Sequence, residues 1–67
     1  MPTIQINGVS HALPGSPSVA EAIVALGLAG KRIAVECNGE IIPRSRHDQH
    51  RLQDGDRIEI VTAVGGG

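Results

Sequence analysis

The residues with the most chemical reach in this sequence are its last three, Gly65, Gly66 and Gly67, which follow the aliphatic run IEIVTAV. Read as a C-terminus, they present a free α-carboxylate just beyond a strand-like segment. Such a group is ionised at neutral pH, with a reference pKa of about 3.3–3.7, and is a poor electrophile. Attack of a carboxylate oxygen on the α-phosphate of ATP, with loss of pyrophosphate, turns it into an acyl-adenylate. A sulfur nucleophile can then displace AMP and leave a thiocarboxylate or thioester. Glycine suits a tail threaded into another protein, because without Cβ the walls of a cleft can close directly on backbone. Three such residues reach at most about 10 Å when extended.

Nothing in the chain is equipped to catalyse that activation. The sequence has no P-loop and no Gly-x-Gly-x-x-Gly ahead of a helix. The ATP then belongs to a separate enzyme, this chain binds no cofactor of its own, and it acts as substrate rather than catalyst. The bland alternative is a frayed terminus, since small residues and disorder collect at chain ends.

Other reactive side chains read more simply. Cys37 alternates with Ile33 and Val35 and is expected to be a small, inert core residue rather than a sulfur shuttle. His47 and His50, with Asp48 between them, have a spacing that a helical turn could bring to one metal ion. Two ligands on a polar, irregular segment are thin support for that, so a solvated loop and no metal site are expected. His11 is expected near a sheet edge. Arg44, Arg46 and Arg51, interleaved with Asp48, Asp54 and Asp56, read as a mixed, solvated surface that could also meet an acidic partner.

The elements that must position these groups are short and well marked. Asn7-Gly8 between alternating runs predicts a hairpin on a type I′ turn, where both turn residues need positive φ. It pairs Ile6 with Val9 and Ile4 with His11 on a face ready for burial, apart from His11. Ser18-Val19-Ala20-Glu21 matches a capping box, followed by an apolar stripe of Val19, Ala22, Ile23 and Leu26 and a stop at Gly27. RIAVECNGEIIP predicts a second hairpin around Asn38-Gly39, with Ile41 opposite Glu36 and Pro43 closing the fourth strand. RSRHDQHRLQDGD is polar, with a helical turn and Leu52 as its one apolar anchor. Asp54-Gly55 then turns the chain into a last strand, Arg57 to about Val64, with Ile58 and Ile60 on one side and Glu59, Val61 and Ala63 on the other.

Length and composition bound the rest. Sixty-seven residues make one small domain, burying only roughly 60% of the surface its unfolded chain would expose. A single cysteine excludes an internal disulfide, and with no aromatic residue the core must be aliphatic. Six basic against seven acidic residues give no nucleic-acid footprint. No apolar run approaches the ~20 residues needed to span a bilayer. No signal-peptide pattern opens the chain, so a soluble, cytoplasmic protein is expected.

The order β-β-α-β-β-β is that of an α+β domain with one helix packed across a mixed sheet. With the last strand placed beside the first, this is the β-grasp, or ubiquitin-like, arrangement. Residues 1–64 would form the domain and residues 65–67 a flexible tail. On the sheet face away from the core, Ile41, Val61 and Ala63 would form an exposed aliphatic patch for docking partners.

The whole chain resembles the ThiS-type sulfur carriers of thiamin (thiazole) biosynthesis, within the ubiquitin-like family, most specifically at IAVECNGEIIPRSR, LQDGDRIEIVTAV and the terminal GGG. The resemblance implies that Gly67 is adenylated by an E1-like adenylyltransferase and converted to a thiocarboxylate, with Gly66 completing the diglycine and Gly65 extending it. It implies a sulfur donor such as a cysteine desulfurase, and thiazole synthase as the acceptor. Related readings of the same features are a molybdopterin-synthase-type carrier, a ubiquitin-like modifier of lysines, or a β-grasp interaction module without chemistry.

Overall fold

A computed structural model describes residues 1–62. Its elements are β1 (Thr3–Ile6), β2 (Val9–Ala12), α1 (Val19–Ala25), β3 (Ile33–Cys37), β4 (Glu40–Ile42), a 3-10 turn (Arg44–Arg46) and β5 (Arg57–Thr62). The five strands form one sheet in the order β2-β1-β5-β3-β4. β5 runs parallel to β1 and antiparallel to β3, so the sheet is mixed and its last strand is its middle one. This is the β-grasp arrangement expected from the element order. The expected division at residues 64 and 65 lies outside the described residues.

Both Asn-Gly pairs form the turns anticipated for them. Asn7 and Gly8 have φ of 51° and 82°, and Asn38 and Gly39 have 53° and 84°. These two-residue turns set the registers Ile6↔Val9 and Ile4↔His11 in one hairpin and Cys37↔Glu40 and Glu36↔Ile41 in the other. Val9 departs from expectation, being 58% exposed although it shares a face with buried Ile4 and Ile6. β2 is an edge strand, and at Val9, directly after the turn, the core no longer has a layer to place against it.

Helix α1 is only seven residues long, too short to persist alone, and its first turn is fully capped. Ser18 Oγ accepts from the Glu21 amide, while Glu21 Oε1 accepts from the Ser18 amide, completing the capping box. These bonds, the one from the Ser18 backbone foremost, hold the Glu21 carboxyl below its ordinary range. The amides of Val19 and Ala20 donate to the carbonyls of His50 and His47. All the early donors that a helix leaves open are thereby satisfied. At the other end Gly27, at φ 73°, supports a Schellman closure, with Leu28 N–H donating to Ile23 and Gly27 N–H to Val24.

One face of α1, formed by Val19, Ala22 and Ile23, packs on the inward residues of the sheet: Ile4, Ile6, Val35, Cys37, Ile42, Ile58 and Ile60. Leu13 and Leu52 close the ends of this aliphatic core. The segment after Pro43 is less solvated than its composition suggests. His47 is buried, and its Nε2 lies 3.0 Å from the Ile42 carbonyl oxygen, so this nitrogen carries the donated proton. The expectation of a solvated loop is corrected at that residue. The polar run is pulled inward because its carbonyls cap the helix.

A second feature of the two asparagines was not anticipated. The Asn7 side chain spans to β5, accepting from the Ile60 amide at 2.8 Å and donating to the Ile60 carbonyl at 3.0 Å. Asn38 Oδ1 accepts from the Arg57 amide at 2.9 Å. Each turn residue thus also holds the middle strand. Replacing Asn7 with Gly keeps the turn geometry but removes the clamp. We expect a loss of about 1–3 kcal/mol in urea unfolding, from two lost hydrogen bonds to partly buried backbone. An unchanged midpoint would mean that Asn7 serves the turn alone.

Candidate functional site

With α1 covering one face of the sheet, the other face is open, and strand alternation decides what it displays. Outward positions are Thr3 and Gln5 on β1, Arg57, Glu59 and Val61 on β5, Ala34 and Glu36 on β3, and Ile41 on β4. Ile41 is 70% exposed and Val61 61% exposed, the outward placement expected of both. Ala63, its third expected member, lies outside the described residues, as do Gly65, Gly66 and Gly67.

The register shows how Ile41 and Val61 are related. Val61 sits opposite Ala34, and Ile41 sits opposite Glu36. They are two strands and one pleat repeat apart, a separation of about 12 Å from ordinary strand spacings. The patch is therefore a diagonal, with Ala34 and Glu36 between its two aliphatic ends. Glu36 in turn pairs directly with Glu59. Sequence alternation identified the outward face, but the Glu36–Glu59 juxtaposition depends on the β3–β5 register, which no local pattern encodes.

Around the end of the sheet, where β5 closes, an open groove is lined by Ile23, Val24, Leu28 and Ile33, with Lys31, Arg32, Arg44 and Val61 also bordering it. Val61 thus stands where the outer face turns into this groove. The described part of β5 ends one residue later, at Thr62.

The remaining candidates have structural duties. Cys37 is buried in the core. Burial raises its thiol pKa, with the nearby Asp56 and Glu40 carboxylates adding to the effect, which is the opposite of what a sulfur nucleophile needs. His50 contributes its backbone carbonyl to the helix cap, and half-buried His11 lies on edge strand β2. No group of three metal-ligating side chains exists among the described residues.

The mixed charged surface also proves partly structural. Arg51 reaches the Ser16 carbonyl and pairs with Glu21 at 3.1 Å. Asp54 accepts from the Thr3 amide, and Asp56 accepts from the Gln53 amide and from the Asn38 side chain. Arg44 and Arg46 remain exposed. No helix among the described residues is long and apolar enough to cross a membrane.

This geometry has solved counterparts. The crystal structure of a thiamine biosynthesis protein (ThiS) from Geobacter metallireducens aligns with a TM-score of 0.81 at 34% identity, covering 97% of this chain and 99% of that one. An NMR solution structure of a thiamine biosynthesis protein from the same organism gives 0.77 at 34% identity, covering 97% and 87%. In sequence, the chain is 40% identical over 62 residues to a thiazole synthase of Paramagnetospirillum magneticum, covering 92% of this chain and 19% of the relative. A thiazole synthase of Magnetococcus marinus matches at 33% over 64 residues, covering 96% and 20%. The chain thus spans about a fifth of the length of these two curated relatives. By contrast, it matches 92% of the uncharacterised protein ycf40 of Porphyra purpurea, at 34% identity over 65 residues and 97% of its own length.

A family model described as the ThiS family matches residues 4–67, from the start of the core in β1 through all three glycines. Fold and family model agree, and the chain belongs to the ThiS family.

Proposed function

We propose that this chain carries sulfur as a thiocarboxylate on Gly67 and delivers it to thiazole synthase. The observation that carries the reading is the family match running through Gly65, Gly66 and Gly67. The two thiazole synthases that contain a segment like this chain support the choice of acceptor. An E1-like adenylyltransferase binds ATP and presents its α-phosphate to the Gly67 carboxylate. One carboxylate oxygen attacks, pyrophosphate leaves, and the poor electrophile becomes an acyl-adenylate. The persulfide of a cysteine desulfurase, or of an equivalent donor, then attacks the acyl carbon and displaces AMP together with that oxygen. A thiol reductant cleaves the resulting acyl disulfide, is itself oxidised to a disulfide, and leaves the thiocarboxylate on Gly67. The chain itself supplies no catalytic group and holds no cofactor; ATP belongs to the activating enzyme. Both partners act in the cytoplasm in this reading.

What the chain contributes is access and recognition. Gly65 and Gly66 let a narrow cleft close on the tail, at the entropic cost of ordering residues with the widest conformational freedom. Ile41, Val61 and Ala63 dock the partner enzymes on the outer sheet face. Ile41 and Val61, both exposed on that face, fit the role.

The first test is the intact mass of the protein from its native cells, under conditions that spare thioacids, with fragmentation to locate any change. An oxygen-to-sulfur replacement confined to Gly67 is expected. If Gly67 is unmodified, and ATP with the purified adenylyltransferase also yields no adenylate, the carrier reading fails. Cys37→Ala should load sulfur as the wild type does, because the chemistry bypasses that buried thiol; a loss of loading without a loss of folding would give Cys37 a part in the transfer. Val61→Asp should leave the thermal midpoint within a few degrees, as exposed substitutions generally do. It should weaken binding of both enzymes by about tenfold, through a desolvated charge in an apolar contact. Unchanged affinity for both would remove Val61 from the interface.

A further inference from the structure

The outer face of the sheet carries a charge arrangement that the isolated domain does not resolve. Glu36 on β3 and Glu59 on β5 are direct cross-strand partners, both pointing away from the core. Like charges placed directly opposite each other on neighbouring strands destabilise a sheet. Nothing among the described residues offsets them with an ion pair: the salt bridge found among those residues joins Arg51 to Glu21 in the first turn of α1. Arg57 lies on the same face, one outward position before Glu59, and borders the same shallow depression as the two glutamates. It nevertheless forms no ion pair with either. The carboxylates sit between two exposed aliphatic groups, with Ile41 beside Glu36 on β4 and Val61 following Glu59 along β5.

We infer that this face receives a protein surface which lays a basic side chain, arginine or lysine, between Glu36 and Glu59 while its neighbouring apolar groups cover Ile41 and Val61. Charge complementarity selects the occupant. A basic side chain has an aliphatic stem able to lie along Val61 or Ile41 and a cationic head able to bond both carboxylates. Its arrival places a counter-charge against two facing carboxylates that have no ion-pair partner among the described residues. The pair also disfavours partners that would present acidic groups there, which is how charge complementarity gives specificity. The identity of the probes used below rests on the carrier reading; the chemistry of the face does not.

The test titrates the full chain against the purified adenylyltransferase and, separately, the purified thiazole synthase of its own organism, at low and high ionic strength. Glu36→Gln with Glu59→Gln is expected to weaken binding to at least one of them by about tenfold and to flatten its salt dependence. The same double variant is expected to melt at or above the wild-type temperature, because it removes a repulsion. That combination, weaker binding with undiminished stability, is what a merely structural pair would not give. Glu59→Gln alone, at an exposed position, decides the matter if the double variant does not fold. Affinity within twofold of wild type for both enzymes, in a chain still adenylated at Gly67, overturns the inference and leaves the carrier reading intact. A wild-type chain that neither binds nor is modified overturns both.

Discussion

The structure depends on inserting its last strand into the middle of its sheet. β5 pairs on one side with β1, some fifty residues earlier, and on the other with β3. Closing that distance costs chain entropy before any contact rewards it. The reward is concentrated: Ile58 and Ile60 enter the core against α1, and the backbone of the strand is bonded on both edges. Asn7 and Asn38 reinforce the same strand from the two hairpin turns, one from each side. A small chain without disulfide or aromatic residues has few other means of holding its last element in place.

The central position of β5 also sets what the open face displays. A single short helix can cover only one side of a five-stranded sheet. The covered side takes every aliphatic residue able to reach it, and the other side is left with alternating exposed positions, among them Glu36, Ile41, Glu59 and Val61. β5 carries core residues Ile58 and Ile60 on one side and exposed Val61 on the other.

The segment between Pro43 and Arg57 shows how polar residues can serve architecture. His47 and His50 offer backbone carbonyls to the first turn of α1, and His47 buries its ring against β4. Asp54 ties the amide at the start of β1, and Asp56 ties the Gln53 amide in the turn before β5. These contacts turn a loop rich in charge into a strap across the start of the helix. Composition alone reads such a stretch as solvated, because the partners that satisfy it lie some thirty residues away in sequence.

Local chemistry made most of this fold legible in advance. Asn-Gly at two positions, the Ser18–Glu21 box, Gly27, and alternating Ile and Val specify turns, caps and strands through interactions spanning only a few residues. The terminal glycines and their family resemblance likewise come from sequence, and the family match extends through them. What sequence could not settle are pairings between distant segments. Exposed Val9, buried His47, the asparagine clamps on β5 and the opposition of Glu36 to Glu59 all follow from which strands became neighbours and in which register. Register is a property of two segments at once: a one-residue slip would move every side chain of a strand to the other face. Only the closed sheet, with its core on one side and water on the other, selects among those possibilities.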